Sequence, residues 1–190
     1  MPDFAAFILL EDPTGIEVLR AYYRSYLEIA AQHGVGIVLD TPTWRANPDW
    51  GDRLGYSAAE LADVDRRGVA LLEELRATAN GVPHLIISGC IGPRGDGYRV
   101  DTEMTGEEAQ RYHEAQVTTF ADTAADLVSA LTLTYAGEAV GIARAAQNSG
   151  IPSVISVTVE TDGRLPGGQS LREAIEEVDD QTQGAVAYFT

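Results

Sequence analysis

Residues able to bind or transform a small molecule follow four apolar segments of the chain. They are two threonines after the first segment, a cysteine and a glycine after the second, two threonines after the third and a glutamate after the fourth: Thr41, Thr43, Cys90, Gly92, Thr132, Thr134 and Glu160. Hydroxyls hydrogen bond to ligand carboxylates, a thiolate is a nucleophile or a metal ligand, and a carboxyl group transfers protons. We predict that these seven residues bind a substrate, and we assign no catalytic residue.

Each of these residue types also has a purely structural interpretation. The four threonines can cap their own loops instead of contacting a ligand. Cys90 is typical of a small buried residue, and Arg94 is the only cation near it in sequence. Glu160 and Asp162 can act as an acid/base pair, or Asp162 and Gly163 can form a turn. The glycines after the second segment favour a tight turn over phosphate binding, because no glycine-rich pattern opens a helix there.

Metal chemistry on this chain is not expected. A single cysteine excludes an internal disulfide and any zinc site with several cysteines from one chain. His33 lies at a predicted helix end, His84 at the start of a predicted strand and His113 within a predicted helix, so the three imidazoles are scattered.

The charge of the chain restricts its partners. The sequence of 190 residues has 29 acidic residues and 13 basic ones, which gives a formal net charge of −16, and every basic residue is arginine. This balance argues against nucleic acids and anionic membrane surfaces, and the lack of lysine excludes lysine-based catalysis. No apolar run reaches the ~18 residues of a membrane span, and the N-terminus lacks the basic start of a signal peptide. We therefore expect a cytoplasmic protein.

Two kinds of element must position the candidate residues. Capping patterns at Ser57, Thr105 and Ser170, each with glutamate three residues later, predict helix starts. Together with apolar periodicity, they predict helices over about 14–32, from 57 to about 80, from 105 past 120, over 137–148 and over 170–178. Strands are predicted at 36–39, 84–88, 126–131, 154–157 and 185–189.

The strands are continuous apolar runs, which indicates burial on both faces and therefore a parallel sheet with helical crossovers. Two architectures are compatible with this pattern within one domain, 1–190. Length favours a doubly wound open sheet, whereas the motifs favour part of a (β/α) barrel. In both, ligands bind at the carboxyl ends of the strands.

Four segments resemble, in order, motifs of the homocysteine S-methyltransferase family. Residues 41–46, Thr-Pro-Thr-Trp-Arg-Ala, resemble the threonine-rich segment after the second strand of the family, and residues 89–93, Gly-Cys-Ile-Gly-Pro, resemble the turn after the third. Glu138-Ala139 resembles the helix start after the fourth strand, and residues 156–168 resemble the fifth-strand motif. The resemblance runs from about residue 17 to the C-terminus. It implies an α/β fold, a TIM-type barrel of parallel strands truncated to about strands two to six of eight.

The resemblance also implies an activity, namely methyl transfer to the sulfur of a small thiol such as homocysteine. In the family, zinc bound by three cysteines holds this sulfur as a thiolate. The first strand of the family pattern and its zinc cysteines are expected to lie outside this chain, so no cofactor is expected on it. Leu131 stands where the family often has a glutamate. The alternative function is a non-catalytic truncated barrel that acts as a subunit or binding module.

Such a barrel arc would have two unpaired edges and an uncovered apolar inner face. We therefore expect the chain to form a homo-oligomer.

Overall fold

A computed structural model describes residues 4–100 and 102–190. Within them, a 3-10 helix at Ala6–Glu11 precedes α1 Pro13–His33, β1 Ile37–Asp40, α2 Pro48–Leu54, α3 Ala58–Thr78, β2 Leu85–Ile91, α4 Gly106–Ala121, β3 Leu127–Leu133, α5 Ala136–Ser149, β4 Ser153–Val157, α6 Leu171–Thr182 and β5 Val186–Phe189. Residues 1–3, which contributed to the expectation of no signal peptide, lie outside the described part. No helix of the described residues is long and apolar enough to cross a membrane.

The predicted capping patterns are confirmed. Ser57, Thr105 and Ser170 each accept a hydrogen bond from the backbone of the glutamate three residues later, and each glutamate bonds back to the capping residue. Helices α1 and α5 end at Gly34 and Gly150, whose left-handed φ angles of 62° and 72° suit glycine. Local sequence therefore sets most helix boundaries.

The five strands form one parallel sheet in the order β1-β2-β3-β4-β5. This sequential order confirms the arc of a TIM-type barrel and excludes a doubly wound sheet, whose strand order reverses at a switch point. Within the described residues the sheet does not close, because β1 pairs only with β2 and β5 pairs only with β4.

The helices form a layer against one face of the sheet. Consecutive long helices contact one another, α1 with α3, α3 with α4, α4 with α5 and α5 with α6. The strand residues that face this layer are buried in a common core and include Leu39, Ile87, Val128 and Ile155. Gly89 lies on the same face, where an added Cβ would meet the Phe120 ring of α4 at 2.5 Å. The absence of a side chain at Gly89 thus lets α4 pack close to β2.

The opposite, concave face carries several polar groups. The Ser88 hydroxyl of β2 donates to the Ser129 hydroxyl of β3 at 2.7 Å. Burial raises the pKa of the Asp40 carboxyl, and hydrogen bonds from Ser88 and Ser129 offset part of that rise. At the free edge, Val38 is 42% exposed. This face is therefore less uniformly apolar than the strand patterns predicted.

Two parts of the fold differ from the sequence prediction. The 3-10 helix and α2 were not predicted, and β2 and β3 extend beyond their predicted ends. Cys90 and Thr132 consequently lie near the carboxyl ends of β2 and β3, within the strands and not in the loops after them.

Candidate functional site

The loops at the carboxyl ends of β1 to β4 lie together at one edge of the sheet. We call residues 41–50, 92–100, 131–135 and 158–168 the rim. Because the strands are parallel, the loop that follows each strand lies at the same edge of the sheet. Parallel α/β folds bind their ligands at this edge. Six of the seven predicted substrate-binding residues lie in the rim, and Cys90 lies just beneath it.

Thr41, Thr43 and Cys90 form one buried hydrogen-bonded group. The Cys90 backbone N–H donates to Thr41 Oγ1 at 2.9 Å, and Thr43 Oγ1 donates to the Cys90 carbonyl at 2.7 Å. The two threonine hydroxyls also lie 2.6 Å apart, within hydrogen-bonding distance. The structure therefore brings these three predicted residues together, and it uses both hydroxyls to fasten the first loop to β2.

Trp44 joins this first loop to the end of β3. Its indole N–H lies 3.2 Å from Thr132 Oγ1, and Thr132 Oγ1 donates to the Leu131 carbonyl at 2.6 Å. Thr132 has a φ of 60°, a left-handed conformation that β-branched residues rarely adopt. It lies where the pairing of β3 with β4 shifts register between Ala130 and Leu133. The strain is thus tied to the irregularity that ends this strand pair.

Gly92 is needed for a close backbone approach. An added Cβ would lie 2.1 Å from the Trp44 carbonyl and 2.8 Å from the indole ring. The structure thus gives Gly92 a structural role, the close packing of the second loop against the first. It leaves the predicted substrate contact of Gly92 untested.

Arg45 ties the first loop to the second. Its guanidinium stacks on the Trp44 ring at 4.0 Å and on the Trp50 ring at 4.6 Å, and it donates to the Gly95 carbonyl at 2.7 Å. The Arg45 residue is only 7% exposed. Cation–π contacts of a largely desolvated guanidinium are stronger than those on the surface, so this stack stiffens the rim.

The loop after β2 also reaches the fourth strand and the layer of helices. The Thr158 hydroxyl donates to the Gly97 carbonyl at 2.6 Å. The Arg94 backbone N–H donates to Glu138 Oε1 of α5 at 2.7 Å, and His113 Nε2 of α4 lies 2.9 Å from the same oxygen. The side chains of His113 and Glu138 are each 1% exposed. The segment 92–97 is therefore held by the loop after β4 at Gly97 and by the layer of helices at Arg94.

Glu160 and Asp162 lie apart from this buried group. Glu160 is exposed, and its backbone N–H and carbonyl bond to Arg164 and Gly163 at 2.7 and 3.0 Å. Asp162 Oδ1 accepts the Arg164 backbone N–H at 3.0 Å. The Asp162–Gly163 segment is thus a turn, as one of the two interpretations expected. Glu160 lines an open surface cavity of about 390 Å³ with Tyr98 and Arg99.

Thr134 is buried at the end of β3, and its carbonyl accepts the Gly167 backbone N–H at 3.1 Å. Its backbone therefore links the β3 end to the loop after β4.

Burial controls the chemistry of two titratable groups beneath the rim. It raises the pKa of the Cys90 thiol well above its usual range, and the nearby Asp40 and Asp65 add to this rise. It also raises the pKa of the Asp65 carboxyl of α3, which the Gln116 amide at 3.3 Å only partly counteracts. Cys90 is therefore held as a thiol, which is a weak nucleophile and a poor metal ligand.

The described residues do not form a zinc site. No three of their His, Cys, Asp and Glu side chains lie close enough together to hold a metal ion. His113 pairs with Glu138, and Cys90 is a free, buried cysteine. We therefore derive no reaction step through zinc.

Sequence reasoning missed the buried partners of the rim, Asp65, Gln116 and the pairing of His113 with Glu138. Each is a polar residue at an apolar position of a helix, and that pattern is the signal in the sequence that could have identified it. Which loop each one contacts depends on the packing of α3, α4 and α5, which no local pattern specifies.

Comparison with known proteins gives a family and a fold. A family model described as homocysteine S-methyltransferase matches residues 3–189. Among solved structures, the metallated and oxidized forms of the homocysteine methyltransferase MmuM from Escherichia coli each match at 21% identity and a TM-score of 0.78 over 99% of the chain. The apo form matches at 20% identity and a TM-score of 0.69 over 97% of the chain.

The chain spans about two thirds of the length of these structures, 67%, 66% and 64% respectively. A comparison with curated proteins finds no match. At these identities the structural likeness shows the fold, and the family match carries the relationship.

Proposed function

Because the chain belongs to the homocysteine S-methyltransferase family, we propose that it binds a small thiol such as homocysteine at the rim and takes part in methyl transfer to its sulfur. The observation that carries the proposal is the family match over residues 3–189. The rim supports it, because four strand ends converge there around polar and aromatic groups.

The rim offers groups that suit a short amino acid with an apolar chain. Trp44 and Leu131 are only partly buried and present apolar surface. The Thr132 hydroxyl donates to the Leu131 carbonyl and accepts from Trp44, so one of its two lone pairs is left for a ligand donor. Of the predicted threonines, Thr132 is the one we assign to direct ligand contact. Thr41 and Thr43 shape the rim instead.

Methyl transfer needs the substrate sulfur as a thiolate. In the family, zinc supplies this by stabilising the ionised sulfur when it is bound. The described residues hold no zinc site, so we assign them the binding and orientation of the thiol and assign no described residue to sulfur activation.

Fluorescence tests the binding step, because both tryptophans of the chain, Trp44 and Trp50, lie in the rim. L-homocysteine should change the emission in a saturable way, and L-homoserine, which carries a hydroxyl in place of the thiol, should act more weakly. Trp44→Phe should remove most of the change, and Trp50→Phe serves as the matched control. An unchanged emission together with no heat in titration calorimetry would contradict the proposal.

Turnover distinguishes the enzyme from the binding module. A cationic sulfonium or ammonium centre leaves as a neutral molecule when it gives up a methyl group. The protein is therefore incubated with zinc, homocysteine and either a methyl sulfonium or a methyl ammonium donor. Mass spectrometry should detect methionine above the protein-free rate with at least one donor class. Binding without turnover would favour the alternative of a non-catalytic barrel arc, which the family match does not favour.

A further inference from the structure

Helix α4 buries three polar side chains. Thr119 bonds to the Ala115 carbonyl of the same helix, whereas His113 and Gln116, one turn apart, bond to other elements. His113 is 1% exposed and Gln116 is 7% exposed. Residues three apart share a helix face, so both side chains point into the protein from the same side of α4. Buried polar groups at such positions require partners. The partner of His113 is Glu138 of α5, and those of Gln116 are Asp65 of α3 and the Thr43 carbonyl of the rim.

The contact made by His113 is indirect. Its Nε2 lies 2.9 Å from Glu138 Oε1, and that same oxygen accepts the Arg94 backbone N–H at 2.7 Å. A carboxylate removed from water is costly unless it is hydrogen bonded, so Glu138 is stable only while it keeps these two donors. The backbone at Arg94 is therefore fixed to α5 by a short hydrogen bond and to α4 through Glu138.

Gln116 reaches the other loop. Its Nε2 lies 3.3 Å from Asp65 Oδ1 and 3.5 Å from the Thr43 carbonyl. One helix thus contacts the loop after β1 directly and the loop after β2 through Glu138. The hydrogen bonds to Glu138, at 2.7 and 2.9 Å, are shorter than those of Gln116.

The position of Arg94 matters because the residues directly after it pack against the rest of the rim. The Gly95 carbonyl accepts a hydrogen bond from the Arg45 guanidinium. Gly97 packs against Thr132, because an added Cβ at Gly97 would lie 2.9 Å from Thr132 Oγ1. A displacement of the backbone at Arg94 would therefore move the groups that surround Thr132 and Trp44. Glu138 reaches the rim at the Arg94 backbone, and His113 acts through Glu138.

We infer that Glu138 and His113 are positioning residues, which set the backbone of residues 92–97 and through it the shape of the rim. For its meaning in catalysis this inference rests on the proposed function. The contacts themselves can be tested on the ligand-free chain.

The test measures the rate of amide hydrogen exchange at Arg94 in three variants. The exchange is monitored by NMR, at a temperature below the unfolding transition. Glu138→Leu removes the acceptor, and the Arg94 amide should exchange about ten to a hundred times faster. Glu138→Gln keeps a carbonyl acceptor in place and should retain most of the protection. The control is Val178→Ala, which removes buried volume in α6, a helix that supplies neither partner of the bond between Arg94 and Glu138.

The comparison separates positioning from stability. The inference is overturned if Glu138→Leu accelerates Arg94 exchange no more than Val178→Ala does at equal global stability. If Glu138→Leu does not fold, His113→Leu takes its place, with an expected acceleration of several-fold and unchanged exchange as the opposing result.

Tryptophan emission gives a second measurement. Glu138→Leu should shift the emission of the ligand-free chain, and Val178→Ala should leave it unchanged. Failure of the wild-type chain to bind homocysteine would count against the proposed function alone, since the Arg94 measurement needs no ligand.

Discussion

Thr132 illustrates how one residue organises the rim. Its left-handed backbone carries a β-branched side chain, and such a conformation persists only where the surroundings enforce it. Here the enforcing contacts are the Trp44 indole, the Leu131 carbonyl and the register shift between β3 and β4. The rim is therefore held by several contacts that depend on one another. A substitution that adds atoms where two rim loops touch should disturb them.

Gly92 is the clearest such approach. Gly92→Ala should lower the free energy of unfolding by about 1–3 kcal/mol, because a Cβ at this site overlaps the Trp44 backbone. It should also shift the tryptophan emission. Urea denaturation measures the first effect. The control is Gly34→Ala, where an added Cβ meets no atom within 4 Å, so that any loss there arises from its positive φ alone and leaves the emission unchanged.

Asp65 should make stability depend on pH. Because burial raises its pKa, the folded chain holds the Asp65 proton more tightly than the unfolded chain does. Its contribution therefore falls as pH rises from about 4, the unfolded pKa, through the folded pKa. Asp65→Asn should consequently be more stable than wild type at pH 7, with a difference that shrinks as the pH approaches 4.

Urea midpoints at both pH values check this prediction. Asp63→Asn, on the exposed side of the same helix, should stay within about 0.5 kcal/mol of wild type. A destabilised Asp65→Asn at pH 7 would show that the carboxylate form is the one that the fold prefers.

Cys90 should be unreactive in the folded chain. Its buried thiol has a raised pKa, so a disulfide reagent such as DTNB should label it at least about tenfold more slowly in buffer than in urea. Rapid labelling of the native chain would contradict its assignment as a buried thiol.

At the scale of elements, the capping boxes hold the helix starts. Ser57→Ala should lower the stability by about 0.5–2 kcal/mol, because it leaves the Glu60 backbone N–H without its side-chain acceptor. The loss should be visible in the thermal midpoint. Ser25→Ala removes a hydroxyl bonded to the Tyr22 carbonyl inside α1 and should cost less. An equal loss in both variants would mean that the cap contributes nothing specific.

The elements were largely predictable because their signals are local. Caps, terminal glycines and apolar runs predicted all five strands and five of the six α-helices among the described residues. Helix α2 was not predicted, because its seven residues are too few for a periodic pattern. Its start at Asn47-Pro48 is also typical of a loop.

The site was less predictable than the fold. Sequence order placed Thr41, Gly92 and Thr132 near one sheet edge, and the structure agrees. The order of residues in the sequence could not show that the hydroxyls of Thr41 and Thr43 hydrogen bond to the Cys90 backbone. Those bonds depend on the register of β1 against β2.

At the scale of the whole molecule, the free edges of β1 and β5 predict self-association. Near β1, the exposed side chains Val18, Tyr22, Tyr26 and Val38 form apolar surface next to the unpaired strand. Unpaired edges beside apolar surface favour pairing with another chain, against the repulsion of a net charge of −16. Light scattering at low and moderate salt should give a mass above that of the monomer.

A mass of 20.3 kDa at both salt concentrations would contradict this prediction. Added salt should favour the oligomer, because it screens the repulsion between acidic chains. A cytoplasmic location and the lack of nucleic acid and membrane partners also stay predictions.

The sequential strand order has a consequence for how the chain folds. Among the described residues no strand is inserted between two earlier ones, so each new strand adds to the edge that its predecessor left. Most contacts therefore join segments that are one strand–helix unit apart, which keeps the loop-closure entropy of each step small. The sheet can grow from β1 towards β5 as the polypeptide leaves the ribosome, with every intermediate already paired along its interior.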